Sequence, residues 1–342
     1  MTAPALTVLS VGMVSGVGLT APAACAAIRC AIDNFQETRF IDSGGEWIMG
    51  CSVPLEQAWR GRSKLLKMLV LAVRECGSQV RQLDFRRVPL LLCLAEPERP
   101  GRLADLDNSL LTDLQTEIGL SFHPHSQVIA EGRVSGIEAL RQARHLIEKE
   151  NVSQVMIAGV DGFLVAATLK AYEEQEKLLT SQNSDGFLPG EAAGAILVGY
   201  PLSKKAEPQL SCVGLGMGIE PAFEGSELPL RADGLVEAIR GALGEAGCDL
   251  GVIDFRITDA AGGQYNFKEA ALALTRLLRK RKEKFDIWHP ADCIGEVGAA
   301  IVPILIIVAW FACRKGYADG PKILGHVGND QGKRGAWVLS YQ

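Results

Sequence analysis

The chain has 342 residues, 48% apolar and 22% charged, with a formal net charge of -5. That length holds one large domain or two ordinary ones with ample core, and the negative balance excludes general nucleic-acid binding, which needs a basic surface. The nine cysteines are an odd number with no CxxC spacing, which points to reduced core thiols rather than disulfides or zinc.

In chain order, the strand "LTVLSVGMVSGVG" comes first, then an Ala-rich helix over about 21–32. This apolar start lacks the positive n-region of a secretory signal. Turn signals ("DSGGEW") mark an insertion before a helix over 62–82. The strand "VPLLLCLAE", a helix over 104–119, the strand "SQVIAE", a helix over 136–149 and the strand "SQVMIAGV" follow. A helix over 165–178, a Gly-rich loop and the strand "AAGAILVGY" close a first half, 1–205. Near-continuous apolar strands alternating with helices predict parallel-dominated sheets covered by helices.

The second half, 206–342, repeats this plan in one compact unit. The strand "QLSCVGLGMGI", a helix over 232–246, the strand "VIDFRITDA" and a helix over 268–282 lead to "FDIWHPA". A helix over 293–314 and the strands "KILGHVG" and "GAWVLSY" complete it. Within that helix, "VGAAIVPILIIVAWFAC" (297–313) is uncharged and contains Pro303. It lies at the lower limit for a membrane span, so it reads as a helix buried on all sides, with no membrane span and a cytoplasmic protein. The strand before Arg133 corresponds to "FDIWHPA", and a site is expected where equivalent strand ends of the two halves converge.

Several motifs carry bland readings beside sharper ones. "GVGLTA" (16–21) fits a dinucleotide fingerprint, with Asp42 placed for a ribose hydroxyl. It reads more simply as a Gly-rich loop under the first helix, and no cofactor is expected. His123 and His125 could share a strand face, without the further ligands a metal needs. The run "RLLRKRKEK" (276–284) reads as a solvated helix end, or as a dock for an acidic partner.

"SDGFLPGEAAGAILVG" (184–199) combines a polar turn, Gly190-Glu191 and a run of small residues entering a strand. It resembles the "DGFxxGEGAG" segment of the β-ketoacyl-acyl carrier protein synthases of the thiolase superfamily. "VLSVGMVSGVGLTA" is similar to their first strand and turn, "VSGIEALRQARHLI" to the helix carrying their catalytic cysteine, and "GEVGAAIVPIL" to their buried C-terminal helix. The resemblance implies an α/β, thiolase-like fold of two duplicated halves, usually dimeric.

The family's chemistry needs a thiolate at a helix N-terminus and two histidines that stabilise enolate and oxyanion. Matching "RVSG" to "CxSG" puts Arg133 at the nucleophile. "DAAGGQYN" puts Ala261 or a neighbour at the first histidine, and "CIGEVGAA" puts Gly295, or Glu296 with a shorter loop, at the second. The resemblance therefore implies a pseudoenzyme. Arg133 either points to solvent or fills a relic pocket, or it pairs with an acid, Glu296 being first choice and Glu131 second, with Asp259 and Glu269 also in range.

Cys293, at the start of the predicted helix 293–314, is the candidate for replacement chemistry as a residual acyltransferase if its pKa is lowered. The leading expectation is a protein-binding accessory factor, homodimeric, similar to adaptors or chaperones of bacterial type VI secretion effectors. The alternative is a chain-length-factor-like subunit partnering a ketosynthase and acyl carrier protein.

Overall fold

The computed structural model describes residues 4–150, 152–200 and 208–342. The chain runs β1 (Leu6–Ser15), α1 (Ala21–Arg29), the hairpin β2 (Gln36–Ile41) and β3 (Trp47–Gly50), then α2 (Gly61–Ser78). Next come β4 (Leu90–Cys93), α3 (Leu106–Ile118), β5 (Gln127–Ile129), α4 (Ser135–Lys149), β6 (Gln154–Gly162), α5 (Ala166–Glu174) and β7 (Glu191–Gly199). The second series is β8 (Leu210–Ile219), α6 (Asp233–Glu245), β9 (Phe255–Thr258), α7 (Gln264–Leu277) and β10 (Ile287–Trp288). It ends with α8 (Ala291–Ile294), α9 (Ile301–Arg314), β11 (Lys322–Gly328) and β12 (Lys333–Tyr341). The expected boundary at 205/206 lies outside the described residues.

Among the described residues the large sheet has the order β10-β9-β11-β12-β8-β1-β7-β6-β4-β5. Read outward from the centre, β1-β7-β6-β4-β5 mirrors β8-β12-β11-β9-β10. The two strand sets meet through Leu6 opposite Cys212 and Thr7 opposite Ser211. The parallel-dominated expectation holds only at the outer strands, where β6-β4-β5 and β11-β9-β10 are parallel. The inner pairs β1-β7, β7-β6, β8-β12 and β12-β11 are antiparallel. Apolar runs signal burial on both faces but carry no strand direction.

Helices α2 and α3 cover the outside of the first half, and α6 and α7 that of the second. Between them α4 and α9 pack against strands of both halves, within a shared core that runs from Val11 and Ile137 to Phe255 and Trp337. α9 is buried continuously from Ile301 to Trp310, as its uniform apolarity demands. Pro303 is tolerated because it falls in the first turn. No described helix is long and apolar enough to cross a membrane. In β8, Gly214, Gly216 and Gly218 alternate along one face, and α6 lies so close that a Cβ at Gly216 would meet the Ala238 carbonyl oxygen.

Two helix expectations need correction. The helix expected over 293–314 breaks after Ile294 and resumes at Ile301. Gly295 (φ 73°) and Gly298 (φ 49°) occupy the break in left-handed conformations that a helix interior excludes. The helix expected over 268–282 runs from Gln264 to Leu277, so most of the basic run lies beyond it. Several of its cations are tied locally: Arg276 to Asp233, Lys282 to the Ile253 carbonyl, and Lys284 to Asp319 and Asp286.

Gly216→Ala is expected to destabilise the fold by about 1–3 kcal/mol, the usual cost of overpacking. Gly244→Ala, whose Cβ meets nothing nearby, is expected to be neutral or stabilising by up to about 1 kcal/mol. Urea unfolding of the two variants checks the contrast; equal midpoints would contradict the close packing of α6 on β8.

Candidate functional site

The site forms where two equivalent elbows meet. After β5 the chain turns through a short 3-10 segment, Gly132–Val134, into α4; after α8 it turns through Gly298–Ala300 into α9. Gly132 (φ 58°) and Gly298 (φ 49°) hold matching left-handed positions. A Cβ at Gly132 would strike Glu96, and one at Gly298 would strike Asp161. Those two acids are bound by one buried guanidinium. Arg99 Nη2 donates to Glu96 Oε2 at 2.8 Å and Nη1 to Asp161 Oδ2 at 2.7 Å. Asp161 Oδ2 also accepts from the Ala299 amide at 2.9 Å. Arg99 thus fixes both turns from behind.

Arg133 stands at the tip of the first elbow with a side chain only 16% exposed. Nη1 donates to Glu296 Oε2 at 3.0 Å, Nη2 pairs with Asp330, and Nε lies 4.0 Å from Asp259 Oδ2. The first-choice pairing with Glu296 is therefore present, and Asp259 sits at its margin. The second choice is not, because Glu131 pairs with Lys333 at 3.2 Å. Glu269 is taken by Arg334 Nε at 2.8 Å. Glu296 Oε1 accepts the Gly298 amide at 2.8 Å, so the glycine break in the C-terminal helix is what lets this acid reach the elbow.

Asp330, in the loop between β11 and β12, escaped the sequence reading. Its signal was an acid inside the Gly-rich stretch "GHVGNDQGKRGA" that joins the last two predicted strands. Lys177 joins it at 3.3 Å and also reaches Glu224 at 3.4 Å. Six acids (Glu96, Asp161, Glu224, Asp259, Glu296, Asp330) thus share three cations (Arg99, Arg133, Lys177). Burial holds the Asp259 and Glu296 carboxyls above the usual range despite Arg133. Burial pushes Asp330 the same way, but Arg133 and Lys177 outweigh it and hold that carboxyl low.

The remaining space is a pocket of about 40 Å³ walled by Phe163, Tyr172, Phe187 and Tyr265. That volume holds a few waters, far short of an acyl-thioester. Ala261 lies on its wall and offers only a methyl group, and Gly295 forms part of the helix break. The nearby His326 on β11 bonds Thr258 Oγ1 at 3.2 Å through Nδ1. Burial, with Arg256 and Arg334, depresses its pKa to about 3, so it is neutral at physiological pH.

Other candidates lie elsewhere. Cys293 is buried and its thiol is pushed up to about 11 by burial and the neighbouring Asp292, the reverse of the lowered pKa a nucleophile requires. Asp42 accepts hydrogen bonds from Ser181 and Glu46, so it braces the β2–β3 turn instead of facing the "GVGLTA" loop. His123 and His125 stack edge-to-face at 4.9 Å beside β5, and no metal-ligand group occurs among the described residues.

The mirrored strand order and paired elbows can be compared with known proteins. The ishigamide ketosynthase/chain length factor superposes with a TM-score of 0.73 at 18% identity, covering 98% of this chain and 99% of the other. The ketosynthase ApeO with its chain length factor ApeC, from Xenorhabdus doucetiae, gives 0.74 at 14% identity, covering 99% and 98%. The AntDE:AntF complex of a type II ketosynthase with its acyl-carrier protein gives 0.78 at 15%, covering 99% of each. The fold is the thiolase-like ketosynthase fold. In sequence, the chain is 26% identical over 204 residues to polyketide beta-ketoacyl synthase 2 of Streptomyces cyaneus. That match takes in 56% of this chain and about half (48%) of the relative's length. No family model matches the chain.

Replacing Arg133 by Met keeps the bulk and leaves Asp259 and Glu296 without their cation. A loss of about 3–5 kcal/mol is expected at pH 8, typical of an orphaned buried charge. The sign of its pH dependence follows from the raised carboxyl pKa values. In the folded state these two acids retain protons that the unfolded chain has lost above about pH 4, so stability falls as pH rises through their folded pKa values. Removing the cation raises those values further, and the deficit of Arg133→Met should shrink between pH 8 and pH 5. Asp330 titrates the opposite way and adds acid lability only below its unfolded pKa. A deficit that is constant or grows toward pH 5 would contradict the ion-pair assignment.

Proposed function

We propose that this chain is a non-catalytic, ketosynthase-like subunit that acts by associating with another protein, in the manner of a chain length factor beside an active ketosynthase. The observation that carries this reading is Arg133 at the elbow tip, paired with Glu296 and Asp330 where the resemblance implies a catalytic cysteine. A guanidinium, which stays protonated at physiological pH, cannot serve as the nucleophile. Ala261 and Gly295 carry no proton-transferring group for the two histidine roles, and loss of each such group ordinarily costs on the order of 10²- to 10⁴-fold in rate.

The relatives named above are ketosynthases and chain length factors, which reverses the order of the two accessory readings drawn from the sequence. No observation favours the secretion-effector adaptor, and none favours acyl transfer by Cys293. The partner expected on this reading is a ketosynthase, with acyl carrier protein reached through the heterodimer. The homodimer expected from the sequence is the competing arrangement.

Intact-protein mass spectrometry after incubation with acyl-acyl carrier protein is expected to show no acyl adduct on the chain. Arg133→Cys should gain no turnover, because the other two groups are still missing. Co-expressed with the ketosynthase encoded nearest to it, the chain is expected to elute as a 1:1 heterodimer by light scattering. A stable acyl adduct on the native chain, or turnover by the native chain alone, would overturn the non-catalytic reading. A homodimer that ignores the ketosynthase would overturn the pairing.

A further inference from the structure

A second cleft, of about 450 Å³, opens beside the edge strand β10, between it and α1. It is far larger than the central pocket and falls within the range that accommodates small organic ligands. Its apolar surface comes from Ile28, Ile287, Trp288, Val308 and Tyr317. Trp288 is backed by Phe255 at 4.4 Å between ring centroids and runs nearly parallel to Tyr317, at 17°. These rings are held by the core, so the walls are preformed.

The polar groups at this cleft are few. Arg29 lies over the Tyr317 ring at 4.3 Å, and no carboxylate pairs with it among the described residues. His289 lines the cleft, and its buried Nδ1 makes no hydrogen bond; Asp292 Oδ1 approaches it at 3.0 Å without hydrogen-bond alignment. Asp292 is itself largely exposed and is free to turn toward water. Cys293 borders the cleft as a neutral thiol and brings no nucleophile. The result is a preformed apolar slot with an unpaired guanidinium on its rim and an unsatisfied imidazole nitrogen beside it.

We propose that this cleft binds a small amphipathic carboxylate, its apolar body against Trp288 and Tyr317 and its carboxylate on Arg29. The guanidinium fork matches a carboxylate in two parallel hydrogen bonds, and stacking on Tyr317 pre-orients it. The same chemistry is offered by a flat aromatic acid and by a medium-chain fatty acid. This site is separate from the Arg133 cluster and independent of the accessory-subunit reading.

Calorimetric titration of the full chain with 2-naphthoate and with octanoate tests it, with 2-naphthylmethanol and 1-octanol as uncharged counterparts. Saturable 1:1 binding is expected for at least one carboxylate, with its alcohol at least about 10-fold weaker, the usual worth of a charged hydrogen bond. Binding of the naphthoate alone assigns an aromatic acid, and of octanoate alone an alkyl acid. Arg29→Ala should weaken binding by at least about 10-fold, and Val308→Trp, which fills the slot, should abolish it. Arg29 is exposed, so its variant carries the test if Val308→Trp fails to fold. No saturable binding by either carboxylate, or binding that Arg29→Ala leaves unchanged, would overturn the proposal.

Discussion

A guanidinium withdrawn from bulk water must collect carboxylates around it, and Arg133 collects them from segments far apart in the chain. Glu296 comes from the break in the C-terminal helix, Asp330 from the last loop and Asp259 from the end of β9. Each of these acids would be strongly destabilising alone in that position. Together they turn the convergence of the two halves into a closed electrostatic unit. Arg99 does the same one layer deeper, with Glu96 and Asp161 braced against the glycines of the two elbows.

The duplication explains why such a unit can exist. The mirrored strand orders bring β5 and β10 to equivalent places, and the turns that follow them come together across the interface between halves. An elbow of this kind presents the side chain at its tip to a shared cavity. Here the side chain is long and cationic, and the cavity is reduced to about 40 Å³. The surplus of acid over base has a further consequence. Burial holds two of the acids above the usual carboxyl range, so the cluster's net charge, and with it the fold's stability, depends on pH.

Much of this was legible in the sequence because burial leaves periodic traces. The runs "KILGHVG" and "LLLC" fell inside predicted strands, and α9 announced its full burial through uniform apolarity. Arg133 and Glu296 could be paired in advance because a buried arginine needs an acid and Glu296 lay on the matching turn. Other features left no local trace. Strand direction is set by connections, so the antiparallel inner pairs were missed. The break at Gly295 and Gly298 was hidden inside an apolar run whose pattern favours an unbroken helix. Asp330 and Lys177 meet across 153 residues, a separation at which side-chain contact follows only from the folded geometry. Glu131, nearer in sequence, was drawn off by Lys333, and the supposed thiolate at Cys293 is reversed by burial.

The central claim is that Arg133 joins the two halves through specific ion pairs at the point where their elbows meet. A double-mutant cycle with Arg133→Met and Glu296→Gln, followed by urea unfolding at pH 8, tests this most directly. A coupling energy within the roughly 0.5–3 kcal/mol typical of contacting residues, at its upper end for so buried a pair, is the predicted result. Additive losses, with no coupling beyond error, would contradict it.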